Sequence, residues 1–350
     1  MSHQFREFLK KIGGGTNTSK NLTRVESAIA TQMILEGLAT PAQIGAFLVA
    51  HRIKRPTCQE LLGMLDTYDL LGGRLVAVPG EVVIVGNPYD GRSRTVPVTV
   101  ITALILASSG VSVIMHGGDS MPTKYGLPLV KIWQGLGLDF SKLTILQIQK
   151  VLEETGIALV YQPKHFPLAQ RIVPYRDEIG KRPPFATIEL VWAPYQGQAH
   201  VLAGFVHPPT ERLFEELLPL RNIENFTICR GLEGSIDLSV NRPAYTRTAN
   251  LGKDNVIEKC IVSAKEYGFL AGDVAFESEI QAIEEIKLVI FNRSNALWDS
   301  SVFNGGFYLW RLGLSKDLES GFIQAENLLK HNIVQQKLDQ IQTILKKIYA

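Results

Sequence analysis

The chain contains short apolar runs without polar alternation: Val82-Val83-Ile84-Val85-Gly86, Val111-Ser112-Val113-Ile114-Met115, Gly156-Ile157-Ala158-Leu159-Val160-Tyr161 and Val201-Leu202-Ala203-Gly204-Phe205. Strand-length runs with no polar face must be covered on both sides. Helical stretches lie between them, at about Val96 to Ala107 and Thr210 to Leu218. The fold class is therefore α/β, with a mostly parallel central sheet under helices. Phe226 to Cys229 and Ile236 to Val240 are expected as shorter strands, and Asn332 to Tyr349 as an amphipathic C-terminal helix.

The first seventy or so residues have a different texture. Thr23-Arg24-Val25-Glu26, Thr40-Pro41-Ala42-Gln43 and Thr57-Cys58-Gln59-Glu60 each fit a capping box, in which a Ser or Thr is followed three residues later by Glu or Gln. Pro41 falls at a first helical position and Gly37 suits a helix end. Short helices with brief connections pack antiparallel, and Ile44, Phe47, Leu48, Leu61, Leu62 and Leu65 supply the buried stripes. The expected division is a helical bundle over residues 1–75, which later helical segments can join, and an α/β domain over 76–350.

Composition excludes several classes. Lys and Arg number 36 against 34 Asp and Glu, a net charge of +2 that leaves room for a local basic patch only. Cys58, Cys229 and Cys260 form no C-x-x-C pair, so neither a disulfide framework nor a zinc site is indicated. The start, MSHQFREFLKKIGGG, is mixed and charged, unlike a signal peptide. The most apolar stretch, Val96 to Met115, is broken by a proline and by Ser108-Ser109-Gly110, so no membrane span is expected. A cytoplasmic location follows as the expectation.

Ala39-Thr40-Pro41-Ala42-Gln43-Ile44-Gly45-Ala46-Phe47-Leu48-Val49-Ala50-His51-Arg52-Ile53-Lys54 resembles the N-terminal helical hallmark of the anthranilate phosphoribosyltransferase and pyrimidine phosphorylase superfamily. The resemblance continues in order along the chain. Gly86 to Gly91 falls where the family has a Gly-Thr-Gly-Gly-Asp-Gly donor loop. His116-Gly117 to Lys124 and Gly126 falls where it has Lys-His-Gly-Asn-Arg-Ser and its extension, and Asn304 to Leu309 resembles a late Asn-Ala helix. Pro163, His165, Pro167 and Val173-Pro174-Tyr175-Arg176 track the acceptor-side segment.

The resemblance implies a phosphoribosyl transfer from phosphoribosyl pyrophosphate to anthranilate, with Mg²⁺ and a homodimer formed through the bundle. It places donor phosphate contacts at Gly86, Asp90, Gly91, Thr99, Ser120, Thr123 and Lys124, and acceptor contacts at His116, Gly117 and Arg176. The metal-binding turn corresponds to Arg230-Gly231-Leu232-Glu233-Gly234-Ser235-Ile236-Asp237, leaving Asp237 and, if the turn brings it round, Glu233.

The donor loop departs from the family at its centre. A glycine-rich loop holds phosphate because its N–H groups form an anion nest that needs positive φ. In Gly86-Asn87-Pro88-Tyr89-Asp90-Gly91-Arg92-Ser93-Arg94, Pro88 removes a donor and Tyr89 disfavours positive φ. Arg92 and Arg94 have appeared, with side chains able to grip phosphate. The plain alternative is a proline turn in which Asp90 caps the next segment. His116 reads equally as a strand-end residue orienting a loop, and Arg176 as a helix-end surface arginine. Asp119 sits where the family has a positive charge, and Ile236 where it has a carboxylate.

Two functional readings remain open. One is a transferase of the anthranilate type with weak activity. The other is a paralogue of a divergent, TrpD-like branch that has lost catalysis and binds DNA or RNA, or another phosphate ligand. Its basic candidates are His51-Arg52-Ile53-Lys54-Arg55, Lys181-Arg182, Arg242, Arg247, Arg92 and Arg94. Nucleoside phosphorolysis has little support, since the Lys-x-Ser-x-Gly-Gly pattern is absent.

Overall fold

The computed structural model describes residues 3–15, 17–252 and 256–349, so the extreme ends of both expected domains lie outside the described residues. The helices α1 (His3–Ile12), α2 (Arg24–Leu35), α3 (Pro41–Lys54) and α4 (Cys58–Leu71) form the N-terminal bundle. All three capping boxes close: Thr23, Thr40 and Thr57 each accept from the third helical N–H, and Glu26, Gln43 and Glu60 return a side-chain acceptor. Gly37 turns the chain out of α2 at φ 77°. Gly63 lets α2 and α4 meet, because a Cβ there would lie 2.1 Å from the Arg24 carbonyl oxygen. Phe47 is fully buried against Phe5, with ring centroids 5.6 Å apart, so its stripe is bundle core.

The sheet holds β1 (Val82–Val85), β2 (Ser112–Gly117), β3 (Ile157–Tyr161), β4 (His200–Gly204), β5 (Asn225–Cys229), β6 (Ala244–Asn250) and β7 (Ile257–Val262). Their order is β3-β2-β1-β4-β5-β6-β7. The pairs from β3 through β5 are parallel, and β6 and β7 add antiparallel strands at one edge. The strand order reverses between β1 and β4, and in such sheets a crevice opens there at the carboxyl ends.

Against β2 and β3, helix α5 (Thr99–Ser108) is buried from Thr99 to Ala107 and packs against the helices Trp298–Arg311 and Ile333–Tyr349. A helix apolar on every side needs such cover, each fully buried Leu or Ile contributing about 1.5–3 kcal/mol. No helix is long and apolar enough to cross a membrane among the described residues.

Two expectations need correction. The helix foreseen from Val96 begins at Thr99, since Pro97 suits only the approach to a first turn. Ile236 to Val240 is not a strand. Side chains satisfy its backbone instead: Asn304 pairs with both the N–H and C=O of Leu238, Tyr308 donates to the Ile236 carbonyl, and Asp273 accepts from the Val240 N–H. Strands β6 and β7, which are only partly buried, had no apolar run in the sequence to mark them.

A self-satisfied candidate donor site

The loops after β1, β2 and β5 meet at the carboxyl edge of the sheet. Gly86 ends β1 against its neighbours, where a Cβ would lie 1.8 Å from the Leu190 carbonyl oxygen. The chain then turns over Pro88 to Gly91, closed by the Gly91 N–H donating to the Pro88 carbonyl at 2.9 Å. Only Gly91 in this turn has positive φ, at 74°. A proline turn is therefore present, over Pro88-Tyr89-Asp90-Gly91. Asp90 is not its cap: its carboxylate accepts from Arg182 at 2.8 Å and lies 3.5 Å from Lys124 Nζ.

Tyr89 turns inward and is buried, its hydroxyl 2.6 Å from His116 Nδ1. Burial pushes the Tyr89 phenol well above its ordinary range. Burial also drives His116 down to about 3. The ring is thus neutral and the phenol donates to it. Gly117 closes β2 opposite Tyr161.

The N–H groups after the turn do hold an anion, but it is the chain's own. Glu233 accepts from the Arg94 N–H at 2.9 Å and from the Ser93 N–H and Oγ at 3.1 and 3.2 Å. Burial acts to raise the Glu233 pKa, yet the Arg94 N–H, Arg92 and Lys124 hold it at about 2. Glu233 reaches this position because its turn adopts φ 54°, with Gly234 at 87°.

Arg92 does not face solvent as a free phosphate grip. It is 1% exposed; Nε meets Glu233 at 3.1 Å, Nη1 meets Ser235 at 2.9 Å and Asp237 at 2.5 Å, and Nη2 meets Thr95. Asp237 also accepts from the Val98 N–H at 3.1 Å and Thr99 Oγ1 at 2.8 Å. Asp237 and Glu233, the residues expected at a Mg²⁺ site, are both engaged by these protein contacts. No group of three or more His, Cys, Asp or Glu side chains is disposed to hold a metal among the described residues.

The expected acceptor arginine behaves likewise. Arg176 is buried rather than at a helix surface, and its carboxylate partner is Glu189 of the same chain. Burial pushes Glu189 up, and the Arg176 charge opposes that rise. Glu189 carried no sequence signal as a site residue, whereas Arg182 was already a basic candidate. Lys124 is part-buried, Ser120, Thr123 and Arg94 are exposed at the rim, and Asp119 accepts from the Tyr161 hydroxyl at 2.7 Å.

The basic candidates separate in the same way. His51 is buried beside Glu60, Lys54 pairs with Glu60 at 2.7 Å, and Arg247 pairs with Glu211 and Glu215. Arg52, Arg55 and Lys181 are exposed and have no acidic partner among the described residues. Arg52 reaches across to the Arg182 carbonyl at 2.9 Å. With Arg55 and His207 it lines a cavity of about 520 Å³ between α3 and the helix Pro208–Leu220.

Residues 6–69 match a glycosyl transferase family helical bundle domain and residues 89–332 the a/b domain of the same family. Anthranilate phosphoribosyltransferase of Rhodopseudomonas palustris is 26% identical over 339 residues, spanning 95% of this chain and 96% of its own. An uncharacterized protein of Aquifex aeolicus is 28% identical over 91% of this chain and 96% of its own. The Saccharomyces cerevisiae anthranilate phosphoribosyltransferase in complex with phosphoribosyl pyrophosphate and Mg shares the fold at TM-score 0.83. Its identity is 14%, over 99% of this chain and 100% of its own. This chain belongs to the glycosyl transferase family of helical bundle and α/β domains, the family of the anthranilate phosphoribosyltransferases.

Proposed function

We propose that this chain is a binding protein on the anthranilate phosphoribosyltransferase scaffold, with transfer of a phosphoribosyl group to anthranilate weak or absent. The observation that carries this reading is the Glu233 carboxylate seated on the Ser93 and Arg94 N–H groups. A loop whose anion-binding donors are already met by an internal carboxylate must lose those bonds before it takes a diphosphate. Tyr89, Arg92, His116 and Arg176, all buried and each with a partner of the same chain, support the same conclusion.

The partner that the surface favours is a nucleic-acid backbone, DNA or RNA. Arg52 and Arg55 present unpaired charge at the groove, Lys181 is exposed and without an acidic partner, and Arg94 adds an exposed charge at the loop. Phosphate contacts from such residues give sequence-tolerant, salt-dependent binding.

The second reading is residual transferase activity. Gly86, Asp90, Gly91, Thr99 and Lys124 keep family positions, and the yeast relative binds phosphoribosyl pyrophosphate and Mg. Ser120 and Thr123 at the rim, with His116, Gly117 and Arg176 toward the acceptor, belong to that reading. A homodimer through the bundle is part of both; its contact would use exposed Val49 and Ile53, since Phe47 is core. Light scattering of the purified chain tests it, a monomer mass counting against it.

The deciding experiment sets turnover of phosphoribosyl pyrophosphate with anthranilate beside a salt-dependent DNA or RNA titration. Negligible turnover with steeply salt-dependent binding is expected. Robust turnover would overturn the binding-protein reading, and binding flat in salt would overturn the backbone-contact reading.

A further inference from the structure

We infer that Arg92 is the resident cation of the Glu233 and Asp237 pair: its guanidinium takes the place of a divalent metal, and the site is metal-independent. The donor and acceptor set argues for this. Arg92 spends Nε on Glu233, Nη1 on Asp237 and Ser235, and Nη2 on Thr95. Asp237 also accepts from Val98 and Thr99, and Glu233 from Ser93, Arg94 and Lys124. A Mg²⁺ ion needs oxygen lone pairs free at about 2.0–2.1 Å in octahedral array, and these carboxylates point most of theirs at N–H and O–H donors.

The backbone holds the guanidinium in place. The Arg92 N–H donates to the Leu127 carbonyl at 3.2 Å and its own carbonyl accepts from the Leu127 N–H at 2.7 Å. That pairing needs Gly126, where a Cβ would lie 2.6 Å from the Arg92 backbone. Arg92 therefore cannot leave the carboxylates by a loop shift that preserves this bridge.

The charges also close without a metal. Arg182, Asp90, Lys124, Glu233, Arg92 and Asp237 alternate in sign, with successive separations of 2.8, 3.5, 3.5, 3.1 and 2.5 Å. Each carboxylate lies beside at least one cation, so the set is neutral and a divalent ion would bring an uncompensated charge next to two fixed ones. A guanidinium keeps its charge at every physiological pH and matches carboxylates in planar geometry, which suits it to a permanent role.

The test uses the full chain and Mn²⁺ as the probe, with bound ion counted from the loss of the free-Mn²⁺ paramagnetic resonance signal. Wild-type protein is expected to bind no more Mn²⁺ than D237N at millimolar concentrations, with no change in Tm. R92A frees two carboxylates; it is expected to gain one Mn²⁺ equivalent, to melt on the order of 5 °C lower and to recover part of that loss with Mn²⁺. R92M serves if R92A does not fold, and the wild-type and D237N comparison decides alone if neither does. A wild-type Mn²⁺ site abolished by D237N overturns the inference, as does a folded Arg92 variant that binds none. Nucleic-acid affinity does not enter this measurement, so its outcome is separate from that of the binding-protein reading.

Discussion

The Tyr89 hydroxyl stands 2.6 Å from His116 Nδ1, joining the loop after β1 to the end of β2 inside a buried site. The pair has the properties of core, with a neutral ring and a protonated phenol. Removing the hydroxyl in Y89F strands a buried acceptor and is expected to cost about 1–2 kcal/mol in urea unfolding. Y89A, which removes the ring as well, is expected to cost about 3–5 kcal/mol.

The same pair bears on the ligand. P88G/Y89G restores flexibility and one backbone donor to the loop. Calorimetry is expected to show about tenfold tighter phosphoribosyl pyrophosphate binding, the scale of one charge-assisted hydrogen bond. No gain would place the barrier with Glu233 and Arg92 instead.

Arg176 and Glu189 form a buried ion pair, and such pairs cost most when one partner is removed. E189Q is expected to lower stability by about 3–5 kcal/mol, whereas R176M/E189L, which removes both charges, is expected to cost much less. Equal losses in the two variants would refute a mainly structural pair.

Acidification should destabilise the fold in two stages. His116 and His200 are held neutral by burial, to about 3 and 4. The unfolded chain protonates both from about 6.5, so stability falls as pH drops below that value. Glu60 and Glu233, held at about 2 against 4.5 unfolded, add stability that is complete above 4.5 and lost as pH falls toward 2. Urea midpoints at pH 7, 5.5 and 4.5 check the first stage, and H200Q is expected to flatten it. The second is read from acid titration of the wild type against E233Q, which should begin less stable and change less.

Binding of nucleic acid is expected to weaken with salt, and R52A, R55A and K181A should each reduce the slope of log K against log salt by about 1. Slopes unchanged by all three would remove this face from the interface.

The apolar runs and capping boxes determined much of this fold by themselves, because both are local. Three Thr residues cap three helices with Glu or Gln from the same turn, and β1 to β5 need only their own sequence to demand cover on both faces. The strand edge β6–β7 was less legible, since few of its residues are fully buried, and Ile236 to Val240 has the composition of a strand but receives its hydrogen bonds from Asn304 and Asp273.

The chemistry of the site was decided by tertiary contacts. Sequence alone showed that the donor loop had exchanged glycines for Pro88, Tyr89 and arginines. It could not show that Arg92 turns inward, since its partners Glu233 and Asp237 lie some 140 residues onward on another loop. Nor could it separate Arg52 and Arg55, which stay in solvent, from Arg176 and Arg247, which find carboxylates. An arginine's charge is written in the chain, but whether that charge is available to a ligand depends on which carboxylate the fold brings within about 3 Å.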